Sequence, residues 1–207
     1  MKLQKVVVAL VLFAMVLSWT MVGSGAEWLE DIVLDNCDQV RWGGMRLNTT
    51  DQQEGKACVE WTITSGSDSV LATTFPAVDA TGANTLAFDL YISDLDALYT
   101  CRNFWLEMTS SGTCDVEEDS WNFLDSAITL QEGWNHLELS IEKSGGACDL
   151  SRVNYLRIAC QGVAGEGTRV TMRLDNIYLT WVEPDPGKDR SQFVMGEKDA
   201  STATPPQ

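Results

Sequence analysis

The sequence is poor in the residues that catalytic and zinc sites most often use. It contains one histidine, His136, in 207 residues, and it has neither a Gly-x-Ser-x-Gly segment nor a glycine-rich phosphate-binding loop. These absences leave nucleophilic hydrolysis and phosphoryl transfer without candidate residues. No two cysteines have Cys-x-x-Cys spacing, and His136 is near none of them, so the sequence argues against a zinc site.

Basic residues are also scarce. The chain has 14 lysines and arginines against 30 aspartates and glutamates, which gives a formal net charge of −16. A surface this acidic repels phosphate backbones and anionic membranes, and this excludes nucleic acids and lipid surfaces as partners. Neutral ligands and cations such as calcium remain compatible with it.

Long apolar runs are confined to the N-terminus. Lys2 and Lys5 precede an apolar run at residues 6–17, and small residues at 24–26 follow it, which is the pattern of a secretory signal peptide. We therefore predict a signal peptide at residues 1–26, a secreted protein, and no membrane insertion after cleavage. The alternative is an uncleaved anchor, because residues 6–22 are nearly long enough to span a bilayer.

The cysteines all follow this N-terminal segment. An even number of cysteines in an exported chain favours disulfides, although the sequence leaves their pairing open and buried free thiols are the alternative. The disulfide candidates are Cys37, Cys58, Cys101, Cys114, Cys148 and Cys160.

Residues 27–182 have the pattern of one all-β domain. Short alternating segments are separated by clusters of Gly, Asn, Asp and Ser, and no helical period extends beyond about one turn. This spacing favours a two-sheet antiparallel β-sandwich of jelly-roll type. The predicted strands are 31–34, 57–64, 70–77, 85–92, 103–109, 121–123, 134–141, 155–160 and 168–180, with one helical turn at 149–153. In the last strand the alternation slips by one residue at Asp175-Asn176, which predicts a local irregularity.

Residues 183–207 differ from the rest of the chain. They contain four of the five prolines, mixed charges and a single short apolar cluster. We predict a disordered tail or linker there.

Seven segments of the sequence are informative when they are taken together. They are VLDNCD (33–38), LNTTDQQEGKACVEW (47–61), LAFDLYISD (86–94), FWLEMTSSGTCDVEEDSWNF (104–123), LQEGWNHLELSI (130–141), DLSRVNYLRI (149–158) and RLDNIYL (173–179). Together they resemble the galactose-binding-like jelly-roll domains of bacterial carbohydrate-binding modules. The resemblance covers nearly all of residues 32–179, and it implies the sandwich fold and a carbohydrate ligand.

The same resemblance implies a structural calcium ion between the first strand, the loop before the second strand and the last strand. Calcium is held by several carboxylate and carbonyl oxygens. The residues that match the family's pattern are Asp35, Asp38, Asp51, Lys56 and Asp175, with Asp38 and Asp175 as carboxylate donors and the residues around Asp51 and Lys56 as carbonyl donors. Cys37 departs from the family, which often has a large apolar residue there. The alternative is that these acids only cap turns.

Period-2 alternation assigns the outward positions of four predicted strands. Aromatic and charged residues occur there together, which suits sugar recognition because rings stack on pyranose faces while charged groups bind hydroxyls. We expect these positions to form one sheet face, extended by Trp42 and Trp121, and we expect Trp61, Trp134 and Trp181 in the core. The predicted ligand residues are Tyr91, Trp105, Glu107, His136, Tyr155, Arg157, Trp42 and Trp121. The alternative is cross-strand pairing on a covered face, with a Glu107–Arg157 salt bridge.

The sequence as a whole thus predicts a secreted, calcium-stabilised, non-catalytic protein that binds a poly- or oligosaccharide. A structural or adhesion module with a protein partner is the second hypothesis. A glycoside hydrolase that uses Glu107 with Glu117 or Glu118 is the weakest, since adjacent acids in a loop are more often simply solvated.

Overall fold

A computed structural model describes residues 30–125 and 128–183, with the side chain of Lys143 left out of that description. The predicted signal peptide at 1–26 and all but the first residue of the tail at 183–207 lie outside the described residues. Those boundaries therefore stay predictions. Among the helices of the described part, none is long and apolar enough to cross a membrane.

Ten strands account for about half of the described chain. They are β1 (Ile32–Asp35), β2 (Arg46–Asn48), β3 (Cys58–Thr64), β4 (Asp68–Val78), β5 (Thr85–Ile92), β6 (Asn103–Thr109), β7 (Glu118–Asn122), β8 (Gly133–Ser140), β9 (Val153–Gln161) and β10 (Arg169–Thr180). One helical turn, α1 (Leu95–Leu98), follows β5 and is capped by Asp94, whose side chain accepts from the Ala97 N–H. A short 3₁₀ turn at Leu150–Arg152 confirms the turn predicted before β9.

The strands form two antiparallel sheets. A six-stranded sheet has the order β2-β3-β10-β5-β8, with β1 paired to β10, and a four-stranded sheet has the order β4-β9-β6-β7. β10 is the centre of the larger sheet because it pairs with β5 on one side and with β3 and then β1 on the other. The predicted two-sheet antiparallel β-sandwich is confirmed.

The core lies between the two sheets and follows the predicted alternation. Phe88 and Leu90 of β5 face Leu106 and Met108 of β6, and all four side chains are fully buried. Burial of an apolar side chain of this size stabilises a fold by about 1.5–3 kcal/mol. The inward residues of β8 and β9 continue this layer, so the period-2 pattern alone identified its lining.

The predicted irregularity at Asp175-Asn176 is confirmed. The register of β10 shifts between Asp175 and Tyr178, and Asn176 has a φ of 49°. The prediction missed β2, a three-residue edge strand with exposed or half-buried residues and therefore no apolar alternation. β7 begins at Glu118, earlier than the predicted 121, because polar Glu118, Asp119 and Ser120 carry no apolar signal.

The tryptophans were assigned only partly correctly. Trp61 is buried in the core as predicted, but Trp181 is 40% exposed and Trp134 lies half-buried on an outer sheet face. Trp42 and Trp121, predicted as parts of a binding platform, are 1% and 5% exposed and belong to the core. Their indole N–H groups are satisfied internally, Trp42 by Asp35 and Trp121 by the Ser140 carbonyl.

Candidate functional site

The predicted ligand residues lie on two opposite faces of the sandwich. Tyr91 and His136 belong to β5 and β8 of the six-stranded sheet, whereas Trp105, Glu107, Tyr155 and Arg157 belong to β6 and β9 of the four-stranded sheet. Alternation along a strand separates inside from outside but does not tell which sheet a strand joins. The prediction of one shared face is therefore wrong.

A row of paired side chains crosses the outer face of the six-stranded sheet. We call it the arginine row, and along adjacent strands it consists of Arg46, Glu60, Arg173, Tyr91 and Trp134. Glu60 accepts from Arg46 at 2.5 Å and from Arg173 Nε at 2.7 Å. The Arg173 guanidinium carbon lies 4.1 Å from the Tyr91 ring centre, and Tyr91 packs edge-on against Trp134 at 5.6 Å.

The loop before β3 covers this row. Asp51 in that loop accepts from Trp134 Nε1 at 3.0 Å and also binds the Arg173 guanidinium. Both aromatic rings are thus already partnered by protein groups. Burial by itself would raise the pKa of Glu60, but hydrogen bonds from Arg173, Asn48 and Arg46 outweigh it and lower that pKa to about 2. Together with Asp51, the arginine row is a charge-balanced structural network.

The remaining predicted ligand residue of this sheet, His136, is also partnered. Its Nδ1 lies 2.9 Å from Asp89 Oδ1, one strand away in β5. Asp89 is in turn the cross-strand partner of Asp175. His136 therefore lies on the same face of the six-stranded sheet as Asp175.

The acids predicted to hold calcium lie in one corner of the six-stranded sheet. Asp38 Oδ1 accepts from the backbone N–H groups of Lys56 (2.5 Å) and Ala57 (2.9 Å). Gly55 allows this approach, since a Cβ at that position would lie 2.7 Å from Asp38 Oδ1. Asp35 accepts from the Cys37 N–H and from Trp42 Nε1.

Asp175 is the acid whose oxygens are least satisfied in that corner. Its Oδ2 accepts from the N–H groups of Gln53 and Glu54, whereas its buried Oδ1 has no hydrogen-bond partner among the described residues. Burial raises the pKa of Asp175. One unsatisfied buried carboxylate oxygen fits a cation at this place, but most of the other carboxylate oxygens already accept protein N–H groups. Calcium in the corner stays a prediction.

The thiols are free in the structure. Cys101 and Cys160 are in hydrogen-bond contact in the core, which lowers the pKa of Cys101 and raises that of Cys160. Burial raises the pKa of the Cys58 and Cys148 thiols to about 12. The predicted disulfides stay predictions.

The outer face of the four-stranded sheet is more open. A groove of about 280 Å³ runs along β6, β7 and β9 beside the half-buried ring of Trp105, and we call it the Trp105 groove. Its lining is polar apart from two tryptophans: Asn103, Trp105, Asp115, Glu118, Ser120, Trp121, Asn122 and Arg157. The Arg157 guanidinium lies 5.9 Å from the Trp105 ring centre.

Glu107 lies beneath this face and not at its surface. The segment between β6 and β7 folds over it, so that Glu107 is 0% exposed and accepts from the Asp115 N–H at 2.8 Å. The alternation placed Glu107 outward correctly, but the covering segment could not be foreseen. The Glu107–Arg157 salt bridge given as the alternative is present. Tyr155, 9% exposed, is likewise covered.

Three carboxyl groups meet beside Glu107. Oxygens of Glu107, Asp115 and Glu118 all lie within 4.8 Å of one another, and we call these residues the acid cluster. Burial and the neighbouring Glu118 carboxyl raise the pKa of Glu107 to about 7. Asp115, in contrast, has its pKa lowered by the Arg157 guanidinium.

The sequence predicted Trp105, Trp121, Glu107 and Arg157 at this site and missed the other residues of the groove. The outward residues of β7, Glu118, Ser120 and Asn122, would have followed from alternation if the strand had been started at 118. Asp115 lies in a loop, where no periodicity could have assigned it. Glu117, weighed as a catalytic acid, pairs with Arg152 at 2.6 Å instead.

Comparison with solved structures identifies the architecture. Two structures of a family 11 carbohydrate-binding module of Clostridium thermocellum, one in complex with a β-1,3-1,4-mixed-linked tetrasaccharide and one from a cellulosomal cellulase, each match with a TM-score of 0.50 at 15% identity. The matches cover 73% and 76% of this chain and 96% and 98% of the modules.

A β-1,2-glucanase from Parabacteroides distasonis also matches, with a TM-score of 0.50 at 14% identity, over 67% of this chain and 21% of the glucanase. No protein-family model matches the chain. No curated protein matches it either. At these identities the likeness concerns the fold, which is the jelly-roll β-sandwich of carbohydrate-binding modules.

Proposed function

We propose that this protein is a secreted, non-catalytic carbohydrate-binding module and that it binds a poly- or oligosaccharide in the Trp105 groove. The observation that carries the proposal is a half-buried indole ring beside an open polar groove on a sheet face. A flat ring of this size stacks on the apolar face of a pyranose, and the surrounding polar groups bind its hydroxyls.

The groove offers both kinds of hydrogen-bonding group that a sugar hydroxyl requires. Asn103 and Asn122 can donate and accept, and the Asp115 carboxylate, whose side chain is 72% exposed, can accept. Arg157 lies against the Trp105 ring and is held by Glu107 and Asp115. A pre-positioned platform of this kind loses little side-chain entropy when a ligand binds.

The opposite face is less suited to a sugar. Tyr91 is covered on its ring face by Arg173, and Trp134 is edge-on to Tyr91 with its N–H already donated to Asp51. A ligand there would have to displace these contacts. Tyr91 and His136 are therefore not part of the proposed binding site.

The same geometry favours binding without chemistry. Retaining glycosidases hold two carboxyl groups about 5–5.5 Å apart on either side of an accessible bond. Glu107 is 0% exposed and its oxygens lie within 4.8 Å of those of Asp115 and Glu118, so a substrate has no access between them. The family 11 modules with the same fold are non-catalytic as well.

A protein partner is the second candidate. The outward residues beside Trp105 on the neighbouring strands are Ala159 and Val70, and Val70 is 51% exposed. This apolar row would suit a protein surface. Ala159 is fully buried, however, and the row is less polar than the groove on the other side of Trp105, which is why we place carbohydrate first.

The experiment is retention on a panel of immobilised polysaccharides, with residues 27–183 produced in calcium-containing buffer. The panel includes β-1,3-1,4-mixed-linked and β-1,2-linked glucans, because the similar structures are a module bound to the first linkage and an enzyme acting on the second. We expect retention by at least one polymer and a loss of affinity of about tenfold or more in Trp105→Ala.

The matched control is Trp181→Ala, which removes an exposed indole at the end of β10. It should leave retention unchanged. If folded wild-type protein is retained by no polymer, or if Trp105→Ala and Trp181→Ala behave alike, the proposed sugar site is wrong and a protein partner becomes the first hypothesis.

A further inference from the structure

The acid cluster contains more negative charge than the protein around it neutralises. Glu107 comes from β6, Asp115 from the loop after β6, and Glu118 is the first residue of β7. Arg157 is the cation that contacts the cluster, through Glu107 and Asp115. Three carboxyl groups against one guanidinium leave an excess of two negative charges when all are ionised.

Two buried oxygen atoms of the cluster make no hydrogen bond to a described residue. Glu107 is 0% exposed, and its Oε2 makes no hydrogen bond to a described residue, although it is in ionic contact with the Arg157 guanidinium. Oε2 of Glu118 is buried as well, and it too has no donor among the described residues. A buried carboxylate oxygen without a donor is costly, so a group that supplies positive charge at this point would stabilise the arrangement.

A divalent cation at this point would neutralise the excess of two negative charges.

The chemistry of the donors selects the kind of cation. The three groups whose oxygens converge are carboxylates, with no cysteine or histidine among them. Calcium prefers oxygen ligands and tolerates irregular geometry, completing its shell with water. Asp115 has a side chain that is 72% exposed and lines the Trp105 groove, so the cluster is open to solvent on that side.

We propose that Glu107, Asp115 and Glu118 form a calcium site at the base of the Trp105 groove, separate from the predicted calcium corner at Asp38 and Asp175. The ion would hold the β6–β7 segment over β6. This proposal does not rest on sugar binding, and it is tested with calcium alone.

The test is isothermal titration of the purified protein with CaCl₂ at pH 7.5, supported by terbium luminescence excited through tryptophan, since Trp105 and Trp121 line the same groove. Calcium is raised to about 10 mM, because the weakest protein calcium sites have dissociation constants of roughly 10⁻³ M. Wild type is compared with Glu107→Gln, which keeps the size of the buried side chain, and with Asp115→Asn at the exposed edge.

We expect Glu107→Gln to bind one calcium ion fewer than wild type and to lose the terbium signal of the groove. Asp115→Asn should weaken that same ion by about tenfold or more. The matched control is Glu117→Gln, an acid of the same segment that pairs with Arg152 outside the cluster and should bind calcium as wild type does. In an Asp175→Asn background, which removes the corner, the ion assigned to the acid cluster should remain.

The proposal is overturned if folded Glu107→Gln and Asp115→Asn bind the same number of calcium ions as wild type with unchanged affinity. It is also overturned if wild type binds none up to that concentration. Far-ultraviolet circular dichroism establishes folding, and Asp115→Asn keeps the test decisive should Glu107→Gln fold poorly. If wild-type protein binds calcium but is retained by no polysaccharide, that result would instead contradict the function proposed above.

Discussion

Two buried glutamates, one on each face of the sandwich, have opposite electrostatic surroundings. Glu60 on the six-stranded sheet receives hydrogen bonds from Arg46, Asn48 and Arg173, and its pKa falls to about 2. Glu107 on the four-stranded sheet is buried beside Glu118 with a single arginine, and its pKa rises to about 7. Burial acts in the same direction on both side chains, so their partners make the difference.

The two faces therefore differ in how far their charged groups are balanced by neighbours. In the arginine row and its covering loop, two arginines balance Glu60 and Asp51, and both aromatic rings have protein partners. On the other face the charges are unbalanced and one indole ring borders an open groove. Satisfied polar networks favour a single structure, whereas unsatisfied groups next to a cleft indicate a binding site.

The largest effect that separates the faces should come from Arg173→Met. This change removes the shared partner of Glu60, Asp51 and the Tyr91 ring, and it leaves Glu60 buried with less compensation. We expect a loss of about 3 kcal/mol in the free energy of unfolding, measured in urea, with sugar retention intact. Arg169→Met, at the exposed end of the same strand, is the control and should change stability little.

An equal loss in both variants, or loss of sugar retention by Arg173→Met in a sample that is still folded, would contradict the structural role given to the arginine row.

Calcium in the corner of the six-stranded sheet should have the next largest effect. In a Glu107→Gln background, which removes the acid cluster, we expect calcium at about 100 times its dissociation constant to add roughly 2.7 kcal/mol of stability through the corner site. Thermal melts with and without EDTA measure it. Adding Asp175→Asn removes the negative charge of this carboxylate and replaces one of its two oxygens with an NH2 group, so it should abolish the shift.

If EDTA leaves the melting temperature of the Glu107→Gln protein unchanged, the acids of this corner only cap turns. In that case the acid cluster would be the remaining candidate calcium site.

Acid should weaken the arginine row in a defined pH window. The pKa of Glu60 is lowered from 4.5 to about 2 on folding, so its contribution is complete above pH 4.5 and is lost as the pH falls toward 2. We expect wild type to exceed Glu60→Gln by about 2 kcal/mol at pH 6, in urea unfolding, and this difference to shrink steadily below pH 4.5.

A difference between the two proteins that stays constant from pH 6 to pH 3 would mean that the charge of Glu60 is not what stabilises the row.

The smallest effects are expected from exchanging one tryptophan on each face for phenylalanine. Trp105→Phe should weaken sugar binding by about fivefold, because a smaller ring stacks less well, and should leave stability unchanged. Trp134→Phe loses the hydrogen bond to Asp51 and should cost about 1 kcal/mol of stability with sugar affinity unchanged. The measurements are the affinity of each variant for the polymer that retains wild type, and its unfolding in urea. If Trp134→Phe weakens sugar binding and Trp105→Phe lowers only stability, the sugar site lies on the six-stranded sheet instead.

Periodicity predicted most of the fold because the two sheets bury alternate residues. β5 and β6 have the predicted bounds, and the slip at Asp175-Asn176 is the shift seen in β10. Alternation also placed Trp105 and Arg157 outward and anticipated the Glu107–Arg157 salt bridge. It failed for β2 and for the start of β7, where the strand residues are polar or exposed and bury no apolar side chain.

The candidate site could be predicted only in part. The alternation of β5 and β8 is the same as that of β6 and β9, so nothing in it separates Tyr91 and His136 from Trp105 and Arg157. Trp42 and Trp121 flank loops in the sequence, yet both are drawn into the core, where Asp35 and the Ser140 carbonyl accept their N–H groups.

The sequence by itself determined the all-β character, most residues of the core and the acidic net charge, because these depend on composition and on local periodicity. The tertiary structure alone decided which strands share a sheet, and therefore which face holds Trp105 and which holds Tyr91. It also decided that the segment after β6 covers Glu107 and brings Asp115 and Glu118 to it. Such contacts depend on the path of a loop, which packing between distant segments selects and no local pattern encodes.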